Sequence, residues 1–456
     1  MTPRTPYPHG GQRGIAVVVA MIFLALFACL AVAIASSADT NMVLTRNRFQ
    51  SQQAGALAET GLQLMQRHLG GLRLSTSENA SDLHKAIAEH LAAAFAQSDM
   101  VDAGQIHWDA TRVVLPLATV WRPDGRTGAL DLSIAASGGA GDNTTITIDS
   151  TGRFGSAARQ VRYNMTVQRG RSVLLEYGIA SKSPVRMGGT ARVTGANNPA
   201  EGSILSATYS TEQAVRMVGE CSASGNVAIV NPEGEVVQRG NATIHGEKRI
   251  GVAEPEWPEV DPAVFMPYVT NIYAGSGAGD LILSNVRIPA NTNPTFSGNV
   301  VILGVMYIES PNKVQFTGNS TVIGTIVCQE PAVDDLKKNS LHFTGNMSTA
   351  GVEHLPPGGA FDGLRELTGS FLLAPGFSAT FTGNFNTING CMVGSQFDFE
   401  GGAGGRVKGS ILNLRDSDFQ IAGTAHLAID RENANPNPAG LTSSYRLVCV
   451  SGSYSE

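Results

Sequence analysis

The chain has 456 residues and a formal net charge of −6, and only 15% of its residues are charged, against ~25% in ordinary soluble domains. That balance excludes a disordered polyelectrolyte, and the lack of a broad basic field excludes bulk nucleic-acid binding. The 52 glycines exceed the usual ~7% and point to many short strands joined by tight turns, away from a helical enzyme scaffold.

Residues 1–14 hold Arg4, His9 and Arg13 and no acid. Ile15 to Ala35 follows as 21 residues without a charge, which as a helix spans ~31 Å, the thickness of a bilayer core. A spanning helix is expected, because backbone in lipid must bond to itself. Arg4 and Arg13 place the N-terminus in the cytoplasm. The rival reading is a cleaved secretory signal. Such an apolar core is usually ~7–15 residues, shorter than this one, although Ala33-Ile34-Ala35 offers small residues for cleavage. Residues 36–69 continue the helix, with Val43, Ala54, Leu57, Ala58, Leu62, Met65 and Leu69 recurring at spacings near three and four. An unbroken rod from Ile15 to Leu69 would be ~82 Å long; the simpler alternative breaks it near Ser36-Ser37.

On these residues the chain resembles the type IV pilin-like proteins, especially minor pilins with a PilX-type N-terminus. The resemblance rests on Gln12-Arg13-Gly14-Ile15, the charge-free run and the helical extension from Gln52 to Met65, roughly 55 of 456 residues. It implies cleavage by a prepilin peptidase between Gly14 and Ile15 and methylation of the new terminus. It also implies helix packing through Val19, Phe23, Phe27, Leu57 and Leu62, with other pilin-like subunits and the pilus assembly machinery as partners. The implied location is the inner membrane, with the ectodomain periplasmic or carried on a surface pilus. Major pilins of the family usually carry Glu at the fifth mature position, where this chain has Val19; that departure fits a minor or initiating subunit better.

Residues 70–170 read as a small α+β domain of pilin-like kind. Ser81 to Gln97 is helical, with a stripe of Leu83, Ile87, Leu91, Ala94 and Phe95 and a cap from Ser81 and Asp82. His84 and His90 are read as exposed helix residues without a ligand role. From Gln105 to Arg169 the period changes to two, predicting an antiparallel sheet with turns at Pro123-Asp124-Gly125 and at Gly138 to Asp142.

The rest is expected to form a β-helix solenoid, so the fold class is mainly β with N-terminal α. Phe296-Ser-Gly-Asn, Phe316-Thr-Gly-Asn, Phe343-Thr-Gly-Asn and Phe381-Thr-Gly-Asn recur at spacings of 20, 27 and 38. A period near twenty suits one coil of a β-helix, with the widest spacing read as a step of roughly two coils. Insertions are placed at Leu336 to Ser340 and His354 to Gly359. Phe and the Ile/Val pairs point inward. The corners are Gly298-Asn299, Gly318-Asn319, Gly345-Asn346 and Gly383-Asn384, where Gly reaches dihedrals closed to other residues and Asn tolerates the left-handed region. A β-sandwich is the rival. The blocks are 171–251, a diverged first set of coils; 252–278, a proline-rich strap whose Trp257, Phe265, Tyr268 and Tyr273 pack on the wall or bind a partner; 279–430, the main coils; and 431–456, a tail that pairs as a strand or caps the last coil.

Chemistry is sparse. Asp334-Asp335 and Asp416-x-Asp418 are the best acid pairs, and no nucleophile elbow, zinc or phosphate-loop motif occurs. No catalytic residue, metal or cofactor is assigned. Cys29 lies in the apolar run, and Cys221, Cys328, Cys391 and Cys449 either form up to two disulfides, in three pairings, or stay as thiols. The expected function is a minor pilin-like structural subunit of a pilus or secretion filament that displays a β-helix for assembly or adhesion, not an enzyme. The alternative is a membrane-anchored β-helix that binds or cleaves envelope or extracellular polysaccharide.

Overall fold

The computed structural model describes residues 13–74, 80–96, 106–121, 127–137, 144–170, 172–275, 277–333, 335–442 and 445–456. Arg4, His9, both expected turns of the first sheet and Asp334 lie outside them. The chain forms two compact units, Met1–Arg169 with Ser444–Glu456, and Gly170–Ser443.

In the first unit, helix α1 runs unbroken over Arg13–Leu69 for 57 residues, ~86 Å of rise. There is no break at Ser36-Ser37: the Thr40 and Thr45 hydroxyls donate back to the carbonyls of Ser36 and Asn41, which satisfies them inside the helix. Strand β1 (Arg73–Leu74), helix α2 (Ala80–Phe95) and strands β2 (His107–Trp108), β3 (Val113–Trp121), β4 (Thr127–Ser137), β5 (Thr145–Phe154) and β6 (Ala157–Arg169) follow. The chain's last strand, Tyr445–Cys449, slots between β1 and β6 in an antiparallel sheet. Arg169 and Tyr445 face each other across that pairing, so the second unit is inserted between two neighbouring strands of the first. The tail pairs as a strand, as one expectation had it, but in this small sheet.

Period-two alternation puts Ile146, Ile148, Ser150 and Gly152 of β5 on one face, towards the helices. Ala58, Leu62, Met65 and Leu69 of α1 and Leu83, Ile87, Leu91 and Phe95 of α2 cover that face. The crossing of α1 is close because two glycines allow it. A Cβ on Gly152 would lie 2.1 Å from the Ala54 carbonyl oxygen, and one on Gly61 would lie 2.5 Å from Ser150 Oγ. Ser150 Oγ donates to the Ala58 carbonyl at 2.7 Å, satisfying a buried hydroxyl against helix backbone. His84, expected to be exposed, is fully buried. Its Nε2 accepts the Ala136 amide of β4 at 2.9 Å, so the ring works as a structural acceptor.

The second unit is built from three parallel ladders. One passes through Ile179–Ser181, Ile204–Ser206, Val227–Ile229 and Lys248–Ile250. Another passes through Val185–Gly189, Val215–Gly219 and Val236–Gly240. The third passes through Arg192–Gly195, Ser222–Ala223 and Thr243–Ile244. In the later part of the chain Leu281–Ile288, Val300–Ile308 and Ser320–Cys328 each contribute to two ladders, the first pairing shifted by a bulge between Ser284 and Val286 and the second in unbroken register. The strands Ile411–Asn413, Phe419–Ile421 and His426–Asp430 join Ile179–Ser181, Val185–Gly189 and Arg192–Gly195. The block that comes first in the chain therefore continues the ladders from the end of the later block.

The expected β-helix solenoid is corrected here: fifteen parallel strands turn 323° round an axis, making a nearly closed barrel. The long apolar N-terminal helix and a mainly β remainder are present. Repeats at spacings near twenty specify which strands become parallel neighbours, but strand twist decides how far a wall turns round its axis, and composition carries no measure of that. The widest repeat spacing is also corrected. Phe343 and Phe381 are direct register partners, so 38 residues make one step, with residues 351–369 as its insertion.

Inside the wall the repeat phenylalanines stack. Ring centroids are 5.2 Å apart for Phe296–Phe316, 4.9 Å for Phe316–Phe343, 4.7 Å for Phe343–Phe381 and 5.1 Å for Phe381–Phe399, close to the ~4.8 Å strand separation that sets them. Tyr273 ends the column, edge-on to Phe296 at 5.5 Å. Outside the wall, the strap's Phe265 is fully buried, in one apolar cluster with Ala180, Leu205, Val305, Val327 and Leu373.

Candidate functional site

Helix α1 changes surroundings along its length. Val19 is 43% exposed, Phe23 56% and Phe27 66%. None of the helix's 18-residue apolar window is buried in the protein. From Ala54 onwards the same helix forms the core of its unit. Leu62 is buried in the core, and Leu57 reaches the site where Gly128 of β4 would carry a Cβ. The five residues proposed for packing thus divide: Val19, Phe23 and Phe27 face outward, while Leu57 and Leu62 are taken up by the chain's own sheet. Gly14 and Ile15 fall in the first turn of α1. A bare apolar stretch of bilayer length, continuous with a buried one, is what a lipid-embedded anchor requires. Among the described residues one helix, at the N-terminal end, is long and apolar enough to cross a bilayer, consistent with one membrane-spanning segment.

The repeat corners are built differently from their expected chemistry. Gly298, Gly318, Gly345 and Gly383 are not left-handed. Each is needed because a Cβ would meet the carbonyl oxygen of Gly279, Gly298, Gly318 or Gly345, at 2.2, 2.1, 1.9 and 2.1 Å respectively. The corner asparagines are not left-handed either; Asn285, Asn291, Asn293 and Asn433 are. Instead three of the four form a side-chain ladder: Asn346 Nδ2 donates to Asn319 Oδ1 at 3.3 Å, and Asn319 Nδ2 to Asn299 Oδ1 at 3.1 Å. These positions hold successive strands in register and present no reactive group.

Of the acid pairs, Asp334 lies outside the described residues, and the other three carboxylates are engaged by neighbouring side chains. Asp335 pairs with Lys338 at 3.2 Å and Asp418 with Arg186 at 3.3 Å, while Asp416 accepts from the Ser210 hydroxyl at 3.0 Å. Sequence reasoning passed over Asp398. Burial pushes its carboxyl up to about 6; Gln396 donates to one oxygen at 3.0 Å, and the other is buried without a hydrogen-bond partner. Its place between the inward Phe397 and Phe399 was readable from strand alternation, but its burial depends on ladder neighbours that one strand does not reveal. A polar cleft of about 540 Å³ lies in the same unit, lined by Glu353, His354, Asn389, Arg406, Lys408 and Asp430. Arg406 pairs with Asp430 at 3.4 Å and His354 with Glu353 at 3.3 Å. Among the described residues no group of three metal-ligating side chains converges. All five cysteines are free, with Cys221, Cys328 and Cys391 buried and Cys29 and Cys449 exposed.

Fold and anchor together define a class: a two-unit β protein on one apolar helix. No protein-family model matches the chain, and no curated protein matches it. Among solved structures it is similar to the competence-associated pilin ComZ from Thermus thermophilus, over 89% of this chain and 97% of that one, at 12% identity and a TM-score of 0.31. A likeness that weak carries no argument. The resemblance to type IV pilin-like minor pilins is corrected accordingly. The solved pilin supports it no further, and the unit expected to display a β-helix, for assembly, adhesion or polysaccharide chemistry, is a nearly closed barrel. Nothing supports a methylated terminus. The N-terminal pattern misleads for a physical reason: an Arg-Gly lead before an apolar helix satisfies bilayer insertion in any single-span protein.

Proposed function

We propose that the protein is a non-catalytic structural protein held to the inner membrane by α1, with its N-terminus in the cytoplasm and both β units in the periplasm. The observation that carries this reading is the continuity of α1, bare and apolar at one end and core-forming at the other. Pulling on the anchor loads the sheet directly, through Ala58, Leu62 and Met65, with no linker to absorb the force. Arg4 and Arg13 supply the charge that retains the N-terminus. Val19, Phe23 and Phe27 contact acyl chains. No cofactor takes part, and the barrel's stacked interior serves as a stiff body carried outside the bilayer.

Carbonate extraction of membranes, with protease protection of spheroplasts, tests the reading. The chain stays in the pellet, and its β units are cut only once the outer barrier is opened. Leu24→Arg with Leu26→Arg, at ~2.5–3.5 kcal/mol each near the bilayer centre, moves it to the supernatant. Recovery of the unaltered chain as a soluble species starting at or beyond Ser36 would sink the proposal.

A further inference from the structure

The parallel ladders of the second unit run out in strands paired on one side only, and such edges are open to further pairing. At one end Leu281–Ile288 pairs along its length with Val300–Ile308, but on its other side Asn271–Ile272 covers only Val286 and Arg287. Among the described residues Leu281–Ser284 therefore has one partner. At the other end Val236–Gly240, Thr243–Ile244 and Lys248–Ile250 each pair on one side only, with Val215–Gly219, Ser222–Ala223 and Val227–Ile229.

The apolar interior reaches solvent at the same two places. The half-buried residues packed on the main core are Leu281 and Leu283 at one end, and Val236, Ala242 and Ile244 at the other. Ile282 is 75% exposed and Ile250 51%. Edges are commonly blunted by charges or bulges; here Lys248 and Arg249 lie on one outer strand and a bulge at Asn285 interrupts the other, while Thr243–Ile244 and Leu281–Ser284 carry neither, and Tyr273 covers only the phenylalanine column.

We infer that the two ends bind each other between copies of this chain, head to tail, with Thr243–Ile244 of one copy adding to Leu281–Ser284 of the next. Two features select a second copy in this orientation. Both edges belong to the same parallel ladder, so an added copy continues its pairing, whereas two-fold self-pairing would reverse the strands. Alternation matches as well, with Ile244 inward and Thr243 outward, Leu281 and Leu283 inward and Ile282 outward. A contact of this kind is heterologous and propagates as an open row. It does not rest on the membrane reading.

Full-length chains with Cys29→Ser and Cys449→Ser, in detergent micelles, carry either Thr243→Cys or Ile282→Cys. Mixed under mild oxidation they give a disulfide-linked heterodimer, and neither alone gives a dimer. Adding Ile282→Lys to the Thr243→Cys chain leaves that edge out of use, so it still links; placing Ile250→Lys on the same chain removes the link. Without any cysteine, hydrogen exchange at 281–284 and 243–250 slows as protein concentration rises. Dimers from either single-cysteine chain alone, or no mixed dimer together with concentration-independent exchange, would overturn the inference.

Discussion

Phe343→Ala tests whether the stacked column stabilises the second unit. Phe343 is 2% exposed, with rings at 4.9 Å on one side and 4.7 Å on the other. Truncating a buried Phe costs about 3–5 kcal/mol, depending on how far the site collapses. Collapse is hindered here, because Ser340–Phe343 is hydrogen-bonded to neighbours on both sides and its backbone cannot move inward without breaking two pairings. Both flanking rings also lose a stacking partner. The loss therefore belongs near the top of the range, about 4–5 kcal/mol, much of a domain's ~5–15 kcal/mol. Phe343→Leu keeps most of the volume and costs roughly 1–2 kcal/mol. Hydrogen exchange read by mass spectrometry on the full chain resolves the effect by segment. Protection falls in Lys313–Phe316, Ser340–Phe343 and Ser378–Phe381 and stays unchanged in β4 and β5. A loss under about 1 kcal/mol, or an equal loss in β4 and β5, would refute the reasoning.

Gly152→Ala places a methyl 2.1 Å from the Ala54 carbonyl and lifts α1 from its sheet, at about 1–3 kcal/mol; thermal unfolding of the first unit reports it. Ser150→Ala removes the hydroxyl that donates to the Ala58 carbonyl and costs about 1 kcal/mol, seen as a lower denaturant midpoint with an unchanged slope. Burial holds the His84 imidazole below its ordinary value. The stability its neutral ring contributes is complete above ~6.5 and is lost as pH falls through the depressed value, so protection of the Ala136 amide, taken relative to its intrinsic exchange rate at each pH, falls on acidification and His84→Gln flattens that dependence. Asp398 has the opposite sign: with its carboxyl pushed up to about 6 from ~3.9 when unfolded, its favourable contribution is present below ~4 and is lost as pH rises through 6. Asp398→Asn should then stabilise the second unit at pH 7.5, by about 1 kcal/mol once partial solvation is discounted, with little effect at pH 4; stabilisation at pH 4 alone would contradict the assignment.

The parts of this fold legible from residue order are those set by local period. The apolar run with its three- and four-residue extension marks α1, and alternation marks β4 to β6, because helix and strand periods are properties of neighbours in the chain. Recurrent Phe-x-Gly-Asn likewise marks strands that become neighbours. What was misread depends on distant partners. Gly318 looks like a residue chosen for its backbone freedom, yet it serves because Gly298 of the adjacent strand leaves no room for a methyl. His84 looks solvent-facing on an isolated helix, yet it finds the Ala136 amide 52 residues away. The ladder order, with His426–Asp430 beside Arg192–Gly195, has no local signature, since a parallel pairing leaves the same alternation whichever strand comes next. The same limit governs function. A lipid-facing helix can be inferred residue by residue, because the bilayer tests each side chain separately. Pairing between copies depends on which edges of the folded wall have one partner, and among the described residues those are Leu281–Ser284 at one end and Val236–Gly240, Thr243–Ile244 and Lys248–Ile250 at the other, which strand period alone does not mark.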